Sequence, residues 1–270
     1  MNNEKKAPFY TEGAIRAELS ADINKRVRLH LYELTDSTNT RAKELAERAT
    51  AEERALIHVF LAAEQTAGRG RLGRSFSSEG GGVYMSILTF PDASAADGAL
   101  VTAYTAVALC RVLERLTPLI PRIKWVNDIY VGDKKLAGIL TEGSIDVTDG
   151  RLRYSVTGIG VNVLGRDFGE LRHIATDIET ECGARLPLHT LAAALAEEFI
   201  RGLCTVGTPE VAREYRERSM LIGRRVTVVK ATEAYPATVL GITDRCELLL
   251  ETEDGKTERL ATGEVSLRFV

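Results

Sequence analysis

Four cysteines, at 110, 182, 204 and 246, are too few and too scattered to staple a chain of 270 residues, and no two form a CxxC pair. The four histidines, at 30, 58, 173 and 189, show no HxxH or HxxxH spacing, which argues against a zinc site. No stretch approaches the roughly 20 uninterrupted apolar residues that a membrane span requires. The opening MNNEKKAPFY carries charges but no apolar run behind them, unlike a secretory signal. A cytoplasmic protein is expected. Excess positive charge is missing too: a net charge of −3 gives no general attraction to nucleic acid or to an anionic membrane, and neither is expected as a partner.

What is present is an ordinary globular composition, 44% hydrophobic and 27% charged. The length suggests one large domain with a smaller appendage. Residues 27–34 alternate in strand fashion and end in Thr35-Asp36-Ser37-Thr38, a cluster suited to a turn and a helix N-cap. Ala42, Leu45, Ala46 and Ala49 follow at helical spacing. Apolar runs at 56–62 and 83–90 read as buried strands, and Leu100 begins a helix running towards Pro118. Strands are expected at 123–126, 129–131, 136–141 and about 151–163, with a hairpin at Gly132-Asp133 and helices near 189–203 and 209–218. Helices mixed with hairpins imply an α/β or α+β core on a mixed sheet. Beyond Ser219 the texture changes to short β-rich runs at 225–229, 235–242, 247–251, 257–261 and 265–269. Turn signals at Thr243-Asp244, 253–255 and Thr262-Gly263 separate the later ones, which suggests a small barrel of the SH3 type. Its charges are nearly balanced, so it is not a nucleic-acid barrel.

The most informative segment is Gln65-Thr66-Ala67-Gly68-Arg69-Gly70-Arg71-Leu72-Gly73-Arg74, with expected buried strands on both sides. Glycines let backbone approach a ligand and turn amides towards anionic oxygens. Arginines add permanently charged, bidentate donors for carboxylate and phosphate. A solvated turn or an RGG-type segment is the plainer alternative, although such segments normally belong to disordered tails. Asn127 and Asp128 lie between two apolar segments and can hydrogen-bond a ligand or help hold Mg²⁺ through oxygen, although taken alone a simple turn is the more common explanation. Lys135 stands before an apolar strand that carries Gly138, and Gly158-Ile159-Gly160-Val161-Asn162 puts two small residues on one strand face with an amide at its end.

Taken in order, Ser37-Thr38-Asn39, GRGRLGR at 68–74, KWVND at 124–128, KLAGIL at 135–140 and GIGVN at 158–162 resemble the biotin protein ligases. The likeness runs from about residue 30 to the C-terminus. It implies a catalytic domain of the class II aminoacyl-tRNA synthetase/biotin ligase type over 27–218, an SH3-like domain over 219–270, and an N-terminal leader or helix over 1–26. It also implies the reaction, in which biotin is activated by ATP and Mg²⁺ as biotinyl-5′-AMP and passed to a lysine of a biotin carboxyl carrier domain. By the same resemblance, Ser37, Thr38, Asn39, Gln65, Arg69, Gly70, Arg71, Lys135 and Gly138 would bind biotin. Arg74, Phe76, Asn127, Asp128, Lys135 and Asn162 would serve ATP, with Phe76 able to cover adenine and Asp128 a Mg²⁺ ligand. Lys135 and Arg71 would neutralise charge as two anions meet.

The family usually has proline where this chain has Val126. Only 36 residues precede Ser37, too few for the winged helix-turn-helix that makes some members repressors, so a ligase without repressor function is expected. A sheet edge could pair two copies into a homodimer. The rivals are a lipoate-type ligase and a non-catalytic ligand- or RNA-binding module on the same fold.

Overall fold

The computed structural model describes residues 10–94, 97–165, 167–230, 233–261 and 263–267. Two short helices open the chain, α1 (Glu12–Glu18) and α2 (Ala21–Arg26). Ile15 and Ile23 are fully buried in the main core, and the Tyr10 hydroxyl donates to the Gly82 carbonyl at 3.0 Å. The helices expected before residue 27 are thus present, and residues 10–26 pack against the large domain because their apolar side chains find the same core. The first nine residues lie outside those described.

The large domain is a seven-stranded mixed sheet. Its strands are β1 (Val27–Thr35), β2 (Ile57–Gln65), β3 (Gly82–Thr89), β4 (Arg122–Lys124), β5 (Asp128–Val131), β6 (Lys134–Ile145) and β7 (Leu152–Asn162), in the order β1-β2-β3-β7-β6-β5-β4. Only β1 and β2 pair in parallel, joined through α3 (Thr38–Arg48) and α4 (Ala51–Arg54). The remaining pairs are antiparallel, so the predicted mixed sheet and its hairpins are present. Helices α5 (Gly98–Leu116), α7 (Leu188–Arg201) and α8 (Pro209–Glu217) form the main helical layer, and the short α6 (Ile178–Cys182) follows β7.

Strand alternation sorts the side chains of β6 and β7 between the two faces. Ala137, Ile139, Ile159 and Val161 enter the main core. Val156 joins Ala42, Leu45, Ala46, Phe60, Leu88 and Tyr154 in a smaller cluster under α3. Further along that second face the strands carry Gly138, Gly158 and Gly160, with Gly138 and Gly160 directly paired. Where α3 stops covering the sheet, these missing side chains leave a hollow.

The C-terminal part is a five-stranded antiparallel sheet, β8 (Arg225–Val229), β9 (Ala234–Ile242), β10 (Leu248–Thr252), β11 (Thr257–Leu260) and β12 (Glu264–Leu267), in the order β11-β10-β9-β8-β12. This is the expected SH3-like unit. Thr262 of its last turn signal, and the 268–269 end of its last expected strand, fall outside the described residues. Its core runs into that of the large domain, and the Trp125 indole N–H donates to the Cys246 carbonyl at 2.8 Å across the join.

Candidate active site

The hollow is a pocket lined by the start of α3, the arginine–glycine loop, β3, β7, the β4–β6 hairpins and the last strand of the C-terminal unit. Ser37 is the N-cap of α3 but makes no side-chain capping bond, so its hydroxyl stays available at the pocket wall. The Thr38 amide donates to Gln65 Oε1 at 2.8 Å, its hydroxyl lies 2.7 Å from Ser86 Oγ and 3.1 Å from Gln65 Oε1, and Gln65 Nε2 donates to Ser78 Oγ at 2.8 Å. Asn39, 4% exposed, lies over Gly158, where a Cβ would meet its Oδ1 at 2.3 Å. Neutral, mutually fixed donors and acceptors of this kind suit a polar but uncharged ring.

The loop between β2 and β3 is itself folded. Gln65 bridges to Ser78 and Arg69 to Ser75, with a 3₁₀ turn over Arg71–Gly73 at its tip. Gly68 permits this, since a Cβ there would lie 2.2 Å from the Phe76 carbonyl oxygen. Each loop arginine has a partner: Arg69 pairs with Glu142 at 3.1 Å, and Arg71 donates to Asn127 Oδ1 at 3.3 Å and to the Gly263 carbonyl at 3.1 Å. Arg74 makes a bidentate pair with Glu264, 2.7 Å on both arms. The C-terminal unit therefore caps the pocket through Gly263 and Glu264.

At this end lie Lys135 and Asp128, 2.7 Å apart. The backbone of Lys135 is clamped on both sides, by β5 across the Tyr130–Lys135 pair and by residues 174–176, through Lys135 N to Ile174 O at 2.8 Å and Thr176 N to Lys135 O at 2.9 Å. Asn127 is pinned to β6 by two bonds with Ile139, Nδ2 to O at 2.8 Å and O from N at 2.9 Å. Val126, the residue in place of the family's usual proline, joins Trp125 through a cis peptide, and its carbonyl accepts from the buried Tyr215 hydroxyl at 2.9 Å.

All but one of the expected site residues line this single pocket. The exception is Asn162, which is buried, and its Nδ2 donates to the Thr176 carbonyl at 3.0 Å. That bond ties it to the segment that clamps Lys135. Phe76 does line the wall, with its ring packed against Gly160, where a Cβ would come within 2.6 Å, and edge-on to Tyr84 at 6.4 Å between centroids. As for Mg²⁺, no cluster of three or more His, Cys, Asp or Glu side chains able to hold a metal occurs among the described residues. Asp128 is a single carboxylate beside an amide, a donor set that fits a Mg²⁺ ion arriving on nucleotide phosphates with its waters better than a resident metal.

Sequence reasoning missed three groups. Lys124 stands in the KWVND run but had been given no role. It lines the pocket half-buried, with its ammonium 5.5 Å from the centre of the Tyr130 ring. Burial pushes its pKa below the ordinary lysine value; Lys135 and Arg74 push the same way, while Asp128 and Glu264 oppose. Glu264 comes from 136 residues beyond Asp128, and only the fold brings it near. Glu142 lies two residues past KLAGIL on the pocket-facing side of β6. Burial alone would raise its pKa, but hydrogen bonds from Asn39 and Lys43 and the charges of Lys43 and Arg69 hold it below the usual carboxylate value.

The lining holds five cations (Arg69, Arg71, Arg74, Lys124, Lys135) against two carboxylates, Asp128 and Glu264. Neutral hydrogen-bonding side chains and a cluster of cations thus share one pocket. The Biotin/lipoate A/B protein ligase family matches residues 31–162, and the biotin protein ligase C-terminal domain matches residues 221–268. The bifunctional ligase/repressor BirA of Bacillus subtilis is 32% identical over 258 residues, covering 93% of this chain and 77% of that one. A biotin–[acetyl-CoA-carboxylase] ligase of Paracoccus denitrificans is 29% identical, over 82% of this chain and 93% of its own length. The Aquifex aeolicus biotin protein ligase, solved in complex with biotin and ATP, superposes with a TM-score of 0.74 at 26% identity, covering 89% of this chain and 98% of that one. The chain belongs to the biotin protein ligase family.

Proposed function

We infer that the protein is an ATP-dependent ligase that activates biotin as biotinyl-5′-AMP and transfers the acyl group to a lysine of a biotin carboxyl carrier domain. One observation carries this reading: a single pocket is lined both by the neutral hydrogen-bonding side chains of Ser37, Thr38, Asn39 and Gln65 and by five cations. Biotin's ureido ring suits the first and ATP phosphates the second, with the biotin carboxylate between them.

In the first step the carboxylate oxygen attacks the α-phosphorus, an acyl–phosphate bond forms, and pyrophosphate leaves. Two anions must approach, so the barrier is largely electrostatic. Arg71 and Lys135, both in the pocket lining, are the groups that would offset it. Asp128, with Asn127 beside it, is the carboxylate that would meet a nucleotide-borne Mg²⁺, whose chemistry is to neutralise phosphate oxygens. In the second step the amine of the carrier lysine attacks the acyl carbon and AMP leaves. The adenylate is a mixed anhydride that water destroys, which gives the capped loop its purpose. Phe76 supplies an aromatic face for the nucleotide end.

A cytoplasmic location accords with ATP as substrate, and no helix among the described residues is long and apolar enough to cross a membrane. The exposed edge of β1 is where two copies of the chain would pair into a homodimer. The test is incubation with labelled biotin, ATP, Mg²⁺ and an isolated carrier domain. Label on the carrier lysine with biotin, and none when lipoate replaces it, is the expected result; labelling from lipoate alone would assign the protein to the lipoate-type ligases.

A further inference from the structure

The Asn39 carboxamide is oriented from behind. Its Nδ2 donates to Glu142 Oε2 at 2.9 Å and, with its other hydrogen, towards the Leu140 carbonyl at 3.4 Å. Its Oδ1 accepts from the fully buried Ser86 hydroxyl at 2.6 Å. An amide nitrogen has two hydrogens and an amide oxygen two lone pairs, so both donors are spent and one acceptor site remains. Ser86 by itself does not decide this orientation, because a hydroxyl can donate or accept. Glu142 decides it: an ionised carboxylate only accepts, so it demands the NH₂ side.

Glu142 is in turn fixed. Lys43, one helical turn past Asn39 on the same side of α3, donates to Oε1 at 2.9 Å, and Arg69 reaches the same oxygen from the ligand loop at 3.1 Å. The side chain is 21% exposed.

We propose that Glu142 is a positioning residue acting through Asn39: it holds the carboxamide with its oxygen, and not its amide hydrogens, left to meet the ligand, so that this wall selects a ring presenting an N–H donor. This rests on the reading that the recess takes the ureido ring of biotin.

The experiment is a double-mutant cycle read by calorimetric titration of the full-length protein with biotin, using wild type, Glu142→Ala, Asn39→Ala and the double variant, with KM for ATP and the thermal midpoint measured alongside. Glu142→Ala is expected to weaken biotin binding about tenfold, the usual scale for losing a charge-assisted hydrogen bond, and to leave the KM for ATP within about twofold. In the Asn39→Ala background the same substitution should cost nothing further, since residues acting in one chain of contacts are non-additive. Glu142→Gln, whose carbonyl oxygen can still accept from Asn39, should recover most of the affinity, and it carries the same cycle if the alanine variant does not fold. An undiminished cost in the Asn39→Ala background, an equal loss of ATP affinity, or unchanged biotin binding would overturn the proposal. Failure of the wild type to bind biotin would instead remove the ligase reading on which it stands.

Discussion

Lys135 Nζ lies 2.7 Å from Asp128 Oδ1, so the cation best placed to serve the reacting anions has a carboxylate directly against it. The two are on adjacent antiparallel strands, β5 and β6, and the lysine side chain is one-third exposed. An incoming phosphate or carboxylate can therefore compete for the ammonium, and a Mg²⁺ ion for the carboxylate, so that the pair separates as substrates bind. Asp128→Asn keeps the shape and removes the charge. It should raise the KM for MgATP by about tenfold, the scale of one lost charged contact, and leave biotin affinity unchanged. Velocity measured against Mg²⁺ and ATP checks this; an unaltered Mg²⁺ dependence would leave Asp128 as an anchor for Lys135 alone.

The bidentate Arg74–Glu264 pair ties the loop to the C-terminal unit, with the arginine side chain 67% exposed. Exposed pairs contribute less than about 1 kcal/mol to stability. Glu264→Ala should therefore leave the denaturant midpoint nearly unchanged and raise the KM for ATP several-fold, because Arg74 loses its fixed place. A large fall in stability with unchanged kinetics would make the pair structural.

Gly158 is where the sheet meets Asn39. A methyl group at 158 would have to displace the carboxamide, since the Cβ position is 2.3 Å from Oδ1. Gly158→Ala should cost at least about tenfold in biotin affinity, as a hydrogen-bonding wall is pushed out of place. Gly13, in α1, has nothing within 4 Å of its Cβ position and is the control. Gly13→Ala should stabilise by about 0.4–1 kcal/mol through the unfolded chain and leave catalysis alone.

Most of the pocket was legible because its chemistry is carried by short contiguous runs. In GRGRLGR, residue types that have no use together in a core stand between two strands, and the structure places all three arginines in one lining. What escaped is long-range. Glu264 meets Arg74 only because β12 folds back over the loop, and no local pattern encodes that. Glu142 reads as an ordinary strand glutamate until α3 is laid over β6. Asn162 adjoins the glycines of β7, and its side chain bonds to Thr176 outside the pocket lining. For the opening segment a helix was expected but its packing was not, because residues 10–26 are too short and too sparsely apolar to announce a core contact.

A pH effect on stability should come from β1 and β2. His30 Nε2 lies 3.0 Å from His58 Nδ1, and His58 Nε2 lies 2.9 Å from the Glu53 carbonyl oxygen. A carbonyl only accepts, so His58 carries its proton on Nε2 and His30 donates to Nδ1. Burial, then the positive charge that His58 and Arg28 would carry, lowers the His30 pKa to about 4, against a partial opposing effect of Glu53. A base whose pKa is lower folded than unfolded binds protons preferentially in the unfolded chain, so its contribution is whole above about pH 6.5 and is lost as pH falls towards 4. Urea midpoints across that window should fall in the wild type and fall less steeply in His30→Gln; parallel curves would place the acid sensitivity elsewhere.

The most direct test of the central claim is biotin-dependent exchange of labelled pyrophosphate into ATP, in wild type and Lys135→Ala, because it reads adenylation without needing an acceptor. Exchange with biotin and not with lipoate is expected, falling about 10²–10³-fold in the variant, the usual loss on removing one group that stabilises developing charge. No exchange with either acid, from folded protein supplied with Mg²⁺, would contradict the ligase assignment, and full exchange in Lys135→Ala would contradict the role given to Lys135.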